Sequence, residues 1–140
     1  MKRIGVFALI RNRSKKVLLV KQKGGKRSWT LPGGRLRQGE RILDGLAREV
    51  AEETGLKIAM QELAVVINRE HQNYLVLIFN CRVTGRTRRR PGPRHPEIEA
   101  MDFYDLKKLP TPLSVQATAC LFRLGKVKSG YTPFLELNLP

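Results

Sequence analysis

The chain has 140 residues, 41% of them apolar, which suits one compact domain with its own core, residues 1–140, and is short for two. Twenty-seven lysines and arginines against twelve acidic residues give a net charge of +15, which points to polyanionic partners such as nucleotides or nucleic acid. No apolar run approaches the roughly 20 residues that cross a bilayer, so a membrane-spanning helix is excluded.

Residues 3–10 (RIGVFALI) and 16–22 (KVLLVKQ) are rich in β-branched and apolar side chains, and RNRSK separates them. That predicts two strands joined like a hairpin. The N-terminus places basic residues before an apolar stretch, as a signal peptide does. The stretch is short, however, and basic residues follow it where a small-residue cleavage site would stand, so it reads as a strand and the expected compartment is the cytoplasm. KGGKRSW is loop, and LPGG (31–34) is a strong turn signal. From Glu40 the period becomes helical: Leu43, Leu46, Ala47, Val50 and Thr54 recur at i, i+3 and i+4, and Gly55 stops the helix at a C′ position. Two further strands are predicted at 63–68 (LAVVIN) and 73–83 (NYLVLIFNCRV), the second apolar on both faces and therefore central in a sheet. GRTRRRPGPRHPEIE (85–99) then crowds arginines at 86, 88, 89, 90 and 94 before turning acidic. A short strand is expected near AMDFYDL (100–106), an N-capped helix over 111–125 and an edge strand at PFLELNL (133–139). Cys81 and Cys120 lie in apolar runs without paired spacing and read as small buried hydrophobes in a reducing compartment. His71 and His95 are isolated loop residues, without Cys or His at metal-ligand spacing.

The charge is unevenly spread. Residues 34–56 hold four basic and five acidic side chains, an acidic island in a basic chain. Within it, REVAEETG (48–55) places Glu49, Glu52 and Glu53 inside an arc of roughly 100° on the helix. Carboxylates so arranged repel one another. Arg48 can reach Glu52 at i+4 and Asp44 at i−4, which leaves Glu49 and Glu53 without a partner. Two readings follow: a solvated acidic face, or a site for a hard divalent cation with oxygen ligands, for which Mg²⁺ is the first choice and Mn²⁺ a substitute.

The surroundings favour the second reading. From Gly34 the sequence runs Gly, five residues, Glu40, seven residues, Arg48-Glu49-Val50, one residue, Glu52-Glu53, one residue, Gly55-Leu56. This matches the Nudix box at all of its fixed positions, and WTLPGG before it and EIEAMDFYDLKKLP after it are also similar to the MutT-like branch. The chain resembles the Nudix hydrolases. The resemblance implies an α/β (α+β) fold, the Nudix-type α/β/α sandwich with a mixed central β-sheet. It also implies that Glu49, Glu52 and Glu53 hold the metal with help from the main-chain carbonyl of Gly33 or Gly34. Arg48 would orient the carboxylates, Glu40 and Gly55 would support the loop–helix junction, and a glutamate in the later loop, Glu97 or its neighbour Glu99, would serve as ligand or general base beside Glu53. Gly45, where relatives often carry alanine, has two readings: it leaves room for a phosphate or a second metal, or it is a tolerated drift.

The implied reaction is hydrolysis of a nucleoside diphosphate linked to another moiety. MutT-like spacing favours a (deoxy)nucleoside triphosphate, including an oxidised purine, converted to monophosphate and pyrophosphate. A proline about fifteen residues past the box, which marks ADP-ribose enzymes, is missing here. Tyr74 sits near the position of a tyrosine in dinucleoside-polyphosphate enzymes and keeps that alternative open, although its place in an apolar strand suits packing. An RNA 5′ end is a further alternative, as is a basic nucleic-acid-binding protein of this fold without catalysis. Candidate substrate contacts are Trp29, which before LPGG is also a core position, Arg35, Tyr74, Arg94 and Glu99. Monomer and homodimer both remain open.

Overall fold

The computed structural model describes residues 1–24, 26–87, 96–124 and 135–139. In chain order it contains β1 (Arg3–Ile10), β2 (Val17–Gln22), β3 (Trp29–Thr30), β4 (Gly33–Arg35), α1 (Ile42–Thr54), β5 (Leu56–Arg69), a 3-10 turn (Glu70–Gln72), β6 (Tyr74–Arg86), β7 (Ile98–Tyr104), α2 (Val115–Leu124) and β8 (Leu135–Leu139). Five strands form a mixed sheet in the order β4-β1-β6-β5-β8, with β1 parallel to β6 and β5 parallel to β8. β6 is its middle strand, as its two apolar faces predict. Three more form an antiparallel sheet, β3-β2-β7.

Alternation along β1 builds two cores. Phe7 and Leu9 join Val65, Ile67, Val76 and Ile78 under Ala117, Cys120 and Leu121 of α2. Val6, Ala8 and Ile10 face the other way, against Leu46 and Val50 of α1. Side chains alternate faces along a strand, so one strand serves a helix on each side and the layers become α/β/α. Cys81 and Cys120 belong to opposite cores and are free thiols; burial pushes each up to about 12, so both stay protonated. Among the described residues no helix is long and apolar enough to cross a membrane.

Two expectations need correcting. β1 and β2 are not a paired hairpin. Among the described residues one antiparallel bridge, Arg11 to Val17, pairs them across a tight turn in which Lys16 N–H donates to Asn12 Oδ1, and the strands then part into different sheets. β2 finds its partners in β3 and β7, the latter some 80 residues away, and chain-local patterning does not register such pairing. Second, α1 begins at Ile42 and leaves Leu43 47% exposed; its buried residues are Gly45, Leu46, Val50, Glu53 and Thr54. The helix is rotated so that a glutamate, and not Leu43, enters the protein. Gly55 does end it, at φ 75° with its N–H donating to the Ala51 carbonyl. α2 is capped by Ser114, whose Oγ accepts the Ala117 N–H at 3.1 Å.

Candidate active site

β4 lies antiparallel to β1, with Gly33 opposite Phe7 and Gly34 opposite Val6. This pairing suspends the glycine turn over α1. A Cβ on residue 34 would come within 2.6 Å of the Glu49 carboxyl carbon, so a side chain there would fill the space into which Glu49 projects. Glu53 comes up from the next turn of the helix, 8% exposed, and its Oε1 accepts the Gly33 N–H at 2.7 Å. Around this turn lies a cavity of about 550 Å³ lined by Gly33, Gly34, Glu49, Glu52, Glu53 and Glu97 together with Arg35, Arg37, Arg48 and Tyr74.

Arg48 organises the acidic helix. Its Nε and Nη2 donate to the two oxygens of Glu40 at 2.7 and 2.9 Å, and its Nη1 reaches Glu49 at 3.0 Å and Glu52 at 3.2 Å. The partner opposite the glutamates is therefore Glu40, from the loop before the helix, and not Asp44. The bidentate hydrogen bond from Arg48, helped by the Arg37 N–H, draws the Glu40 carboxyl down to about 2. Gly45 lies against Leu36 and the Glu40 carboxylate, at 2.9 Å from Oε1 to a Cβ added there. The room expected beside it is thus already occupied by the protein's own side chains.

Glu53 behaves differently. Burial, reinforced by the charges of Glu49, Glu52 and Glu97, pushes its carboxyl up to about 8 against the stabilising Gly33 N–H. Without a cation, the folded protein then retains a proton that the unfolded chain releases above the ordinary value of 4.5. Metal-free protein should lose stability as pH rises from about 4.5 through about 8, because the unfolded state binds fewer protons over that interval. Saturating Mg²⁺ or Mn²⁺ favours the ionised form and should flatten that slope. Thermal melts at pH 5, 7 and 9, with EDTA and with metal, check this; a metal-induced rise in Tm that does not grow with pH would count against it.

The donors fit a hard divalent cation: carboxylate and main-chain oxygens around a cradle that only glycine leaves open. Among the described residues no three carboxylates are already gathered at ligand distance. Arg48 restrains Glu49 and Glu52, and the Gly33 N–H holds Glu53.

The remaining expected residues separate. Glu97 reaches the cavity, while its carbonyl accepts the Lys23 N–H at 2.7 Å. Glu99 does not share its side. It is clasped by Arg27 at 2.8 and 3.0 Å and by Lys21 at 3.2 Å, and Arg27 above all holds its carboxyl below the usual range. Trp29 is packed against the α2-side core, edge-on to Tyr104 with ring centroids 5.0 Å apart, so the base-stacking expectation is replaced by the core one. Tyr74 lines the cavity over Gly5, with Arg3 at 5.5 Å and Arg35 at 5.9 Å from its ring, and burial raises its phenol. His71 falls in the 3-10 turn, and Arg94 and His95 lie outside the described residues. Arg37 also lines the cavity, and its place between Gly34 and Glu40 within the box is the signal that points to it.

The sequence profile of the NUDIX domain matches residues 1–123. The chain belongs to the Nudix family. Among its relatives is the mouse 8-oxo-dGDP phosphatase NUDT18, 30% identical over 122 residues, which cover 86% of this chain and 38% of that protein. A Bacillus subtilis protein provisionally named 8-oxo-dGTP diphosphatase is 40% identical over 82 residues, 58% of this chain and 54% of that one. A crystal structure of a MutT Nudix hydrolase from Burkholderia pseudomallei superposes with a TM-score of 0.74 at 26% identity, covering 89% of this chain and 98% of the other. This Nudix chain spans between about a fifth and about half the length of the curated relatives it matches.

Proposed function

We propose that this Nudix domain is a divalent-cation-dependent pyrophosphohydrolase that cleaves a nucleoside diphosphate linked to another moiety, with a (deoxy)nucleoside triphosphate carrying an oxidised purine as the preferred substrate and monophosphate and pyrophosphate as products. The observation that carries the reading is the convergence of Glu49, Glu52, Glu53 and Glu97 on one cavity beside the Gly33–Gly34 turn, with arginines on its walls. Glu49, Glu52 and Glu53, with the carbonyl of Gly33 or Gly34, would hold the cation. Bound there, it would lower the pKa of a water molecule and neutralise charge on the bridging oxygens.

The protein's own groups supply the rest. Glu97 accepts the proton of the attacking water as the new P–O bond forms and the anhydride P–O bond breaks, and the proton ends on the released phosphate. Arg48, its fork anchored on Glu40, holds Glu49 and Glu52 beside the glycine turn until a cation draws them to it. Arg35, beside Tyr74 in the cavity lining, offsets phosphate charge.

The name of the mouse relative favours a second reading, in which the substrate is an oxidised purine nucleoside diphosphate. A panel in Mg²⁺ of ordinary and oxidised nucleoside di- and triphosphates, dinucleoside polyphosphates, ADP-ribose and 5′-triphosphate RNA decides between them. The expected result is the highest kcat/KM on an oxidised nucleoside triphosphate. Turnover confined to RNA, with steeply salt-dependent binding, would replace this reading with the RNA-end one, and no turnover at all would favour a binding protein of this fold.

A further inference from the structure

Among the described residues three arginines line the cavity, and they are committed to very different degrees. Arg48 is 18% exposed and donates to Glu40, Glu49 and Glu52 at once. Arg35 lies over the Tyr74 ring. Arg37 is 68% exposed, and among the described residues its guanidinium is held by one ion pair, Nη2 to Glu52 Oε1 at 3.7 Å. An exposed pair of that length contributes little. The backbone of Arg37 is fixed nonetheless, because its N–H donates to Glu40 Oε1 at 3.0 Å and its carbonyl accepts the Glu40 N–H at 3.1 Å. Arg37 is therefore a pinned Cα carrying a loosely held cation at the cavity wall.

Its one ion-pair partner is a carboxylate expected to move. Glu52 is shared between Arg48 Nη1 and Arg37, and drawing it onto a cation takes it away from both. Arg48 keeps its two bonds to Glu40, whereas Arg37 keeps no side-chain partner among those contacts. A released guanidinium beside a phosphate site finds its best geometric match in phosphate oxygens, which it can bind in pairs.

We propose that Arg37 exchanges partners: it neutralises Glu52 in the metal-free protein and binds the outermost phosphate of a polyphosphate chain once the cation is loaded. This rests on the reading of the cavity as a cation-dependent phosphoanhydride site. It makes Arg37 a determinant of phosphate-chain length, and it couples metal loading to substrate capture, since the same event that seats Glu52 frees the arginine.

The test uses the whole chain, with Arg37→Gln removing the charge and Arg37→Lys keeping it. Calorimetry with Mn²⁺ alone measures metal affinity. Calorimetry with non-hydrolysable nucleoside tri- and diphosphate analogues, at saturating Mg²⁺, measures capture. Arg37→Gln should bind Mn²⁺ as tightly as wild type or up to about threefold tighter, because a competitor for Glu52 is gone. It should bind the triphosphate about tenfold more weakly while binding of the diphosphate changes less than about twofold, and Arg37→Lys should recover part of the loss. Equal weakening for both analogues, no weakening, or a loss of Mn²⁺ affinity would each overturn the exchange. If wild-type protein binds the analogues but hydrolyses no nucleotide, the functional reading fails while the difference between the two analogues still decides the role of Arg37. If wild-type protein binds neither analogue, both fall.

Discussion

Glutamine at Glu53 should leave the fold intact and lower Mg²⁺-dependent turnover at least about 100-fold, the scale on which removal of one key electrostatic group acts. The substitution is nearly isosteric. Its amide oxygen can still accept the Gly33 N–H that Glu53 receives at 2.7 Å, so the β4–α1 contact survives. What disappears is a charge at the most buried carboxylate among the described residues that line the cavity. The same change should stabilise the metal-free protein at pH 9. Glu53, pushed up to about 8, must be ionised there inside a cluster of like charges, whereas glutamine has no proton to lose. Steady-state kinetics together with melts in EDTA at pH 5 and 9 check both halves. A variant that hydrolyses nucleotides at the wild-type rate would remove Glu53 from the site.

Alanine at Gly33 has the opposite character: a large loss of stability, about 3 kcal/mol or more, with activity lost as a consequence. Gly33 has φ 151°, which L side chains rarely adopt, and a Cβ there would collide with the Val6 carbonyl oxygen and approach Phe7 Cα at 2.6 Å. Both obstacles are backbone of β1, whose own pairing with β6 leaves it no freedom to retreat. Gly34→Ala is the control, because there the obstacle is the Glu49 side chain, which can turn aside. It should keep most of the stability and lose metal affinity instead. Urea denaturation and Mn²⁺ titration of the pair separate the two roles, and equal stability losses would contradict the distinction.

The site was legible in the sequence where its residues are neighbours in the chain. Helical spacing placed Glu49, Glu52 and Glu53 on one side, and Gly55 marked the end of α1, because both are local matters of period and backbone conformation. What spacing could not give was the environment. A helical wheel has no knowledge that β4 covers Glu53, so its burial and its raised pKa came only with the fold. The wheel offers Arg48 both Glu52 and Asp44; the first is its partner at 3.2 Å, but in place of the second it takes Glu40, which precedes the helix and which a wheel does not count. Glu97 and Glu99 looked equivalent two residues apart on an extended chain. They are separated because the β2–β7 register shifts at Lys21 and Gln22 and because Arg27, from another loop, claims Glu99. Trp29 was ambiguous for the same reason: its neighbour Tyr104 is 75 residues away.

The two-faced strand β1 also sets where this chain tolerates changes of length. An added or deleted residue within Arg3–Ile10 would exchange Phe7 and Leu9 with Val6, Ala8 and Ile10, turning each core's residues toward the wrong helix. It would also shift the rail on which Gly33 and Gly34 are registered, and so slide the glycine turn off Glu49 and Glu53. The Asn12–Lys16 turn carries none of this, because among the described residues one bridge, Arg11 to Val17, pairs the strands across it before they enter separate sheets. Insertions gathered in that turn, and none in the eight residues before it, are the pattern that this division of labour imposes on descendants of the chain.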